Sequence, residues 1–143
     1  MIEPIIPPQT PLQERIHGPL PVLAIPRTAD PDIVYGISVV GDAGRVTDRA
    51  VLSALGWSPG TRLTVSCPED RLILVRATTD GSVQVTGAGF FRVPVHKRRR
   101  VGLLEGDRVL LVAHRTLRRV LLHPPAVLDG LTAQSRRILE DSL

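Results

Sequence analysis

The sequence predicts a mainly β fold with short helices, built from two tandem copies of one ββαββ unit. The chain is 43% hydrophobic but has only one Trp, one Tyr and two Phe, so its core must consist of Val, Leu and Ile, which favour strands. Glycine-containing turns separate short apolar runs, as expected for hairpins. In addition, residues 41–65 and residues 87–111 share one order of turns and apolar segments, which indicates a repeat.

The repeat is carried by aligned glycines. When Gly56 is placed on Gly102, Gly60 falls on Gly106, and the apolar residues that follow coincide. The copies differ at the start of the helix, where the second has Pro94 and the first has Asp48. We interpret this as a diverged duplication; the alternative is a chance likeness of two β-rich segments. The predicted parts are a proline-rich arm (1–32), the first repeat (33–80), the second repeat (81–125) and a short helical tail (126–143).

In the first copy, residues 33–40 are β-branched and predict a strand, in which Gly36 predicts a bulge. Asp48 predicts the N-cap of a helix over residues 49–55, because its carboxylate can accept from the free N–H groups of the first turn. Gly56 predicts the end of that helix. The predicted closing hairpin consists of residues 62–67 and 71–76.

The second copy repeats this layout. Pro94 suits the first position of a helix, because its φ is fixed and its missing N–H is harmless there. Gly102 predicts the end of this helix. The other predicted segments are strands at residues 83–86, 108–113 and 118–123 and short helical turns at residues 126–131 and 135–139.

The N-terminal arm contains eight of the 13 prolines, which predicts an extended segment without regular structure. It is either a strap on the fold, which we favour, or a partner-binding tail. The single Cys67 excludes an internal disulfide and is best explained as a small apolar strand residue. Neither a secretory signal nor a run of about 20 apolar residues is visible. We therefore expect a cytoplasmic protein.

Positive charge is concentrated in the second copy. Residues 81–119 contain nine Lys or Arg and two acids, whereas residues 35–80 contain five of each sign. The run from Lys97 to Arg100 occupies barely two helical turns, so its four cations must point in several directions and exceed the nearby Glu105 and Asp107. This pattern indicates an external polyanion such as nucleic acid; the alternative is a solvated basic surface.

The order of glycine turn, short strand, proline-started basic helix, Leu-Gly and Gly-Asp turn resembles the AbrB/MazE/SpoVT family of bacterial DNA-binding domains. The resemblance covers residues 34–123, as two copies, and is best preserved in spacing from Gly89 through Pro94 to Gly102. It implies a swapped-hairpin β-barrel of two interleaved ββαββ units, which would make this chain an internal pseudo-dimer. It also implies a sequence-specific transcriptional regulator that binds double-stranded DNA and is therefore associated with the nucleoid. We expect no cofactor and no metal ion.

The resemblance further implies DNA contacts from the arginine after the turn glycine, Arg45, and from the helix pair Arg98 and Arg99. The position of Arg45 is occupied by Phe90 in the second copy. The positions of Arg98 and Arg99 are occupied by Leu52 and Ser53 in the first copy. A homodimer would restore a symmetric reading of the duplex. The residues expected to contact DNA are Arg45, Arg49, Arg92, Lys97, Arg98, Arg99 and Arg100.

Other functions are less well supported by the residues. The four histidines, His17, His96, His114 and His123, are scattered and form no catalytic motif, so we expect no enzymatic activity. RNA binding by stacking would need exposed aromatic residues, and Phe90 and Phe91 are better explained as core strand residues. The alternative function is an antitoxin-like module that binds a toxin as well as DNA.

Overall fold

The computed structural model describes residues 30–141, so most of the predicted arm and the last two residues of the tail lie outside the described residues. The prediction of a mainly β protein with short helices is confirmed. The described strands are β1 (Ile33–Val39), β2 (Arg45–Val46), β3 (Arg62–Ser66), β4 (Ile73–Ala77), β5 (Val83–Gln84), β6 (Phe91–Arg92), β7 (Arg108–His114) and β8 (Arg119–His123). The described helices are α1 (Arg49–Leu55), α2 (Val95–Arg100), α3 (Pro125–Leu131) and α4 (Ala133–Asp141).

Two segments differ in length from the prediction. Strand β5 has two residues where residues 83–86 were expected to form a strand. Helix α4 has nine residues where a short turn was predicted, because Ala133–Asp141 contains no Gly or Pro that would stop it.

The strands form two antiparallel sheets. The larger sheet has six strands in the order β1-β7-β8-β4-β3-β5, and the smaller sheet is the two-stranded ribbon β2-β6. The sheet does not close, because β1 and β5 remain as its two edges. Among the helices described, none is long and apolar enough to span a bilayer.

Strand pairing is unchanged when the two halves of the chain, residues 33–80 and 81–125, are exchanged. Strand β1 of the first half pairs with β7 of the second, and β3 of the first pairs with β5 of the second. The β2-β6 and β4-β8 pairs join equivalent strands, with Val46 opposite Phe91 and Leu74 opposite Leu121. Each half therefore completes its sheet with strands from the other half.

The helices α1 and α2 end alike. The glycine after α1, Gly56, has φ 70°, and Gly102 after α2 has φ 68°, both in the left-handed region that favours glycine. The next residue in each half donates its N–H to a carbonyl of the last helical turn, which is the Schellman arrangement. These bonds are Trp57 N to Leu52 O (3.0 Å) and Leu103 N to Arg98 O (2.9 Å).

The starts of the two helices differ. Asp48 is the N-cap of α1, as predicted, and its Oδ1 accepts from the Val51 N–H at 3.0 Å. Pro94 is the N-cap residue of α2 and not its first helical residue, because its ψ of 146° is extended and α2 begins at Val95. The Pro94 carbonyl still accepts from the Lys97 and Arg98 N–H groups, each at 3.0 Å. Its oxygen is therefore the acceptor of the first hydrogen bonds of the helix.

The predicted bulge at Gly36 is wrong. The β1-β7 register runs without a gap from Ile33 to Val39. A Cβ at Gly36 would lie 2.8 Å from Val51 Cγ2 and would also clash with the Asp48 carboxylate. Glycine is needed at this position because the start of α1 packs directly on β1.

The core is aliphatic, with one aromatic pair. Its members are mainly buried Val, Leu and Ile from both halves, as the composition predicts. Trp57 and Phe91 join them and pack edge to face, with ring centroids 6.3 Å apart. The prediction of a core position therefore holds for Phe91, which is 2% exposed, whereas Phe90 is only partly buried.

Candidate nucleic-acid interface

Three arginine side chains gather around one turn, residues Gly41–Gly44. The Arg45 guanidinium lies against Gly41, since a Cβ placed there would be 2.8 Å from Arg45 Nε. Arg98 lies against Gly44 in the same way, since a Cβ placed on Gly44 would be 2.6 Å from Arg98 Nε. Arg92 Nε donates to the Asp42 carbonyl at 3.4 Å. The turn is therefore covered by three cationic side chains.

These arginines come from both halves of the chain. Arg45 lies directly opposite Arg92 in the β2-β6 ribbon. The ribbon continues into a bond from the Val93 N–H to the Gly44 carbonyl at 2.9 Å, which fixes the turn of the first half beside the entry to α2 in the second. Arg98 projects back from α2 onto that junction. Residues distant in sequence thus meet at one place.

Phe90 lies beneath the two ribbon arginines. The guanidinium carbons of Arg45 and Arg92 are 5.7 Å and 4.9 Å from the centroid of its ring, within the range of cation–π contacts. The opposite face of the ribbon is apolar, with Val46 and Phe91 buried in the core. One face of the ribbon therefore packs into the core, and the other face presents cations.

Helix α2 carries four cations, Lys97, Arg98, Arg99 and Arg100, which lie in different environments. Arg98 is half-buried and its Nε donates to the Val93 carbonyl at 2.9 Å. Arg99 is exposed, and Lys97 is half-buried. Arg100 forms an ion pair with Asp70, with Nε 2.9 Å from Oδ1, in which both side chains are more than half exposed. Among the residues that the structure describes, Arg100 is thus the member of the run that has an ion-pair partner.

Carboxylates near the turn do not neutralise the cluster. Glu105 Oε2 accepts from the Ala43 N–H at 3.0 Å and so holds the turn from the other side. Within residues 30–141, no carboxylate comes within ion-pair distance of Arg45, Arg92, Arg98 or Arg99. The described part of the chain also brings together no group of three His, Cys, Asp or Glu side chains suited to a metal ion.

Arg49, at the start of α1, lies apart from this cluster and near the glycine turn of the second half. It lines a cavity of about 200 Å³ at the counterpart glycine turn, close to Gly89. Leu52 and Ser53, which stand where the second half has Arg98 and Arg99, line the same cavity. The structure therefore brings Arg45, Arg92 and Arg98 together, places Lys97 and Arg99 on the adjoining helix, and separates Arg49 from them.

Sequence reasoning missed the roles of three residues at this surface: Phe90 as a platform, Glu105 as a support of the turn and Asp70 as the partner of Arg100. A signal was present for Phe90, because it and Arg92 are two residues apart in the short strand predicted before Pro94, where alternate residues share a face. The two acids are brought in by the tertiary fold, and local sequence carries no sign of them.

Comparison of the chain with protein-family models, with curated proteins and with solved structures finds no match in any of the three.

Proposed function

We propose that this protein is a sequence-specific, DNA-binding transcriptional regulator of the AbrB type. Its DNA-binding surface is the arginine face, which we define as Arg45, Arg92, Lys97, Arg98 and Arg99. The observation that carries the proposal is the convergence of three guanidinium groups on one turn, with no described carboxylate within ion-pair distance of them.

The chemistry of the arginine face suits duplex DNA. Guanidinium groups bind phosphates through paired hydrogen bonds and also read the guanine edge in the major groove. The bond from Arg98 Nε to the Val93 carbonyl uses one of five N–H groups and fixes the side chain, which leaves the terminal nitrogens for a ligand. A two-stranded ribbon and a short helix are both narrow enough to enter the major groove. Positioning on phosphates with a few base contacts is the expected mode.

The finer fold assignment is part of this proposal. We propose that the two halves form a swapped-hairpin barrel of the AbrB type within one chain. The exchange of partners between β1 and β3 of the first half and β7 and β5 of the second supports it. So does the pairing of the equivalent strands β2 and β6 with each other.

The proposed site is complete on one side of the molecule only. The turn arginine survives in the first half and the helix pair in the second, and the fold places Arg45 and Arg98 at the same turn. The equivalents of these arginines, Phe90 for Arg45 and Leu52 and Ser53 for Arg98 and Arg99, carry no charge. Each chain therefore presents one arginine face, and a homodimer would present two.

The test compares charge removal on and off the arginine face. Binding fragments are first selected from random duplex DNA, and affinity is then measured by fluorescence anisotropy. We expect Arg45→Ala with Arg99→Ala to weaken binding at least about 100-fold, because two charge-assisted contacts are lost at about 1.5–3 kcal/mol each. We also expect the slope of log K against log salt to fall by about 0.9 for each phosphate contact removed.

Arg108→Ala with Arg115→Ala is the matched control, because both side chains are exposed arginines outside the arginine face. It should leave the site-specific affinity within about threefold of wild type. Equal losses in the two double variants would show that binding follows net charge alone. A flat salt titration of the wild type would contradict the proposal as a whole.

The second candidate function, a toxin-binding antitoxin, is favoured by the C-terminal helices. Leu131 at the end of α3 is 61% exposed and Leu139 on α4 is 75% exposed. Exposed leucines on a terminal helix suit a partner that receives an amphipathic helix in a groove. Co-purification of a small protein, lost on Leu139→Asp, would support this function; selection of a DNA site without any protein partner would support a stand-alone regulator.

A further inference from the structure

An apolar cavity lies on the outer face of the six-stranded sheet, away from the arginine face. Its volume is about 380 Å³, within the range of small-molecule sites. It is lined by Ile33, Leu72, Leu74, Val112, Leu117 and Leu121, with Pro68, His114 and Arg119 beside them. None of these residues belongs to the arginine face, so the cavity is a separate feature.

The apolar character of this cavity is not explained by the core. Leu121 lies between the buried residues Val120 and Leu122 and so points away from the core, where a solvated sheet face is usually polar. Its partners in the neighbouring strands, Leu74 and Val112, are leucine and valine as well. Leu117 in the β7-β8 loop is 52% exposed at the edge of the cavity.

Arginines lie at one side of the same cavity. Arg119 lines it and also lines an adjoining cavity of about 390 Å³, together with Arg76 and Arg118. Arg76 and Arg119 are directly opposite each other on β4 and β8, an arrangement that destabilises a sheet when both residues carry the same charge. Among the residues that the structure describes, neither arginine has an ion-pair partner.

Arg118 is committed in part to the fold. Its Nε donates to the Leu55 carbonyl at 3.0 Å and its Nη2 to the Gly56 carbonyl at 3.4 Å, at the end of α1. Arg76 and Arg119 are therefore the pair for which the described residues offer no ion-pair partner. They lie beside the apolar cavity, which shares Leu117 and Arg119 with the adjoining cavity.

We propose that this site binds a small molecule that joins an apolar body to an anionic head group, such as an alkyl carboxylate or an alkyl phosphate. The alkyl chain occupies the cavity over Leu74 and Leu121, where it removes apolar surface from water. The head group lies between Arg76 and Arg119 and relieves their repulsion by accepting charge-assisted hydrogen bonds from both. Charge complementarity selects this occupant over a neutral or cationic one.

The full chain is titrated by isothermal calorimetry with decanoate and decyl phosphate, each below its micelle concentration. Decanol and decyltrimethylammonium have the same chain length without the negative charge and serve as ligand controls. We expect saturable binding of both anions at one molecule per chain. We expect the two control ligands to bind at least about tenfold more weakly, because neither carries an anionic group that can pair with the two guanidinium groups.

Variants assign the binding to the site. Arg76→Gln and Arg119→Gln should each weaken decanoate binding about tenfold, whereas Arg108→Gln removes an equal charge elsewhere on the surface and should leave it unchanged. Leu74→Gln should weaken the binding of both anions, and circular dichroism of each variant checks that it is folded. Equal binding of decyltrimethylammonium, or equal losses in all three arginine variants, would overturn the proposal.

Other occupants of the cavity give distinct results. One outcome is that the chain sediments as a dimer, that decanoate fails to bind and that Leu74→Gln makes the chain monomeric. In that case a second copy covers this face and the proposal is wrong. If decanoate binds only after removal of residues 1–29, the chain's own N-terminal segment is the occupant, and the proposal is again wrong.

Discussion

At the scale of single residues, the proposed function gives Arg98 two roles, one in the fold and one in ligand binding. Arg98 lies over Gly44, where a Cβ would not fit, and is fixed by its bond to the Val93 carbonyl. A fixed guanidinium loses less conformational freedom when a phosphate binds, which favours affinity. Arg45 and Arg92 gain a similar restraint from the Phe90 ring.

Gly36 gives a prediction that concerns stability alone. We expect Gly36→Ala to lower the free energy of unfolding by about 1–3 kcal/mol, because the new methyl group overlaps Val51 and the Asp48 carboxylate. Urea denaturation followed by circular dichroism measures the change. Gly87→Ala is the control, since a Cβ at Gly87 meets nothing within 4 Å, and it should shift stability by no more than about 0.5 kcal/mol. Equal effects of the two substitutions would contradict the packing of α1 on β1.

At the scale of elements, the N-cap of α1 contributes to the stability of the fold. We expect Asp48→Ala to cost about 1 kcal/mol, because the Val51 N–H loses its acceptor at the start of α1. Asp48→Asn keeps a side-chain oxygen in the same place and should recover most of that stability in thermal denaturation. A loss as large in the Asn variant as in the Ala variant would mean that the charge of Asp48, and not its cap, stabilises the helix.

Local sequence chemistry predicted the elements that depend on local interactions. Asp48 and Gly56 bounded α1 correctly, and apolar alternation identified the hairpin strands β3, β4, β7 and β8. At Gly36, the sequence could not distinguish a bulge from a close contact with α1, because both need a glycine. The difference is decided by a helix that lies further along the chain.

The candidate site was predictable in its members but not in its arrangement. Adjacent cations in the second copy and Gly44-Arg45 in the first were visible in the sequence. That Arg45 and Arg98 reach the same turn follows from the pairing of β2 with β6, which is a long-range contact without a local signature. The compensation of Arg100 by Asp70 is of the same kind.

At the scale of the whole molecule, pseudo-symmetry in the backbone is combined with asymmetry in the surface. Strand pairing and helix ends are alike in the two halves, so exchange of the halves preserves the fold. The charged side chains do not follow this symmetry, because Arg45 has become Phe90 in the second half and the pair Arg98 and Arg99 is Leu52 and Ser53 in the first. If the proposed function is correct, one of the two equivalent surfaces binds DNA and the other does not.

This asymmetry predicts how many chains a DNA site needs. If the proposed function is correct, one chain covers one half-site, and a palindromic duplex binds two chains. Native mass spectrometry of complexes with a selected palindrome and with its isolated half-site should give two chains and one chain, respectively. Ser53→Arg adds a cation at the counterpart of Arg99, on the second side, and should steepen the salt dependence by about 0.9 for one new phosphate contact. One wild-type chain that occupies both half-sites equally would contradict the single arginine face.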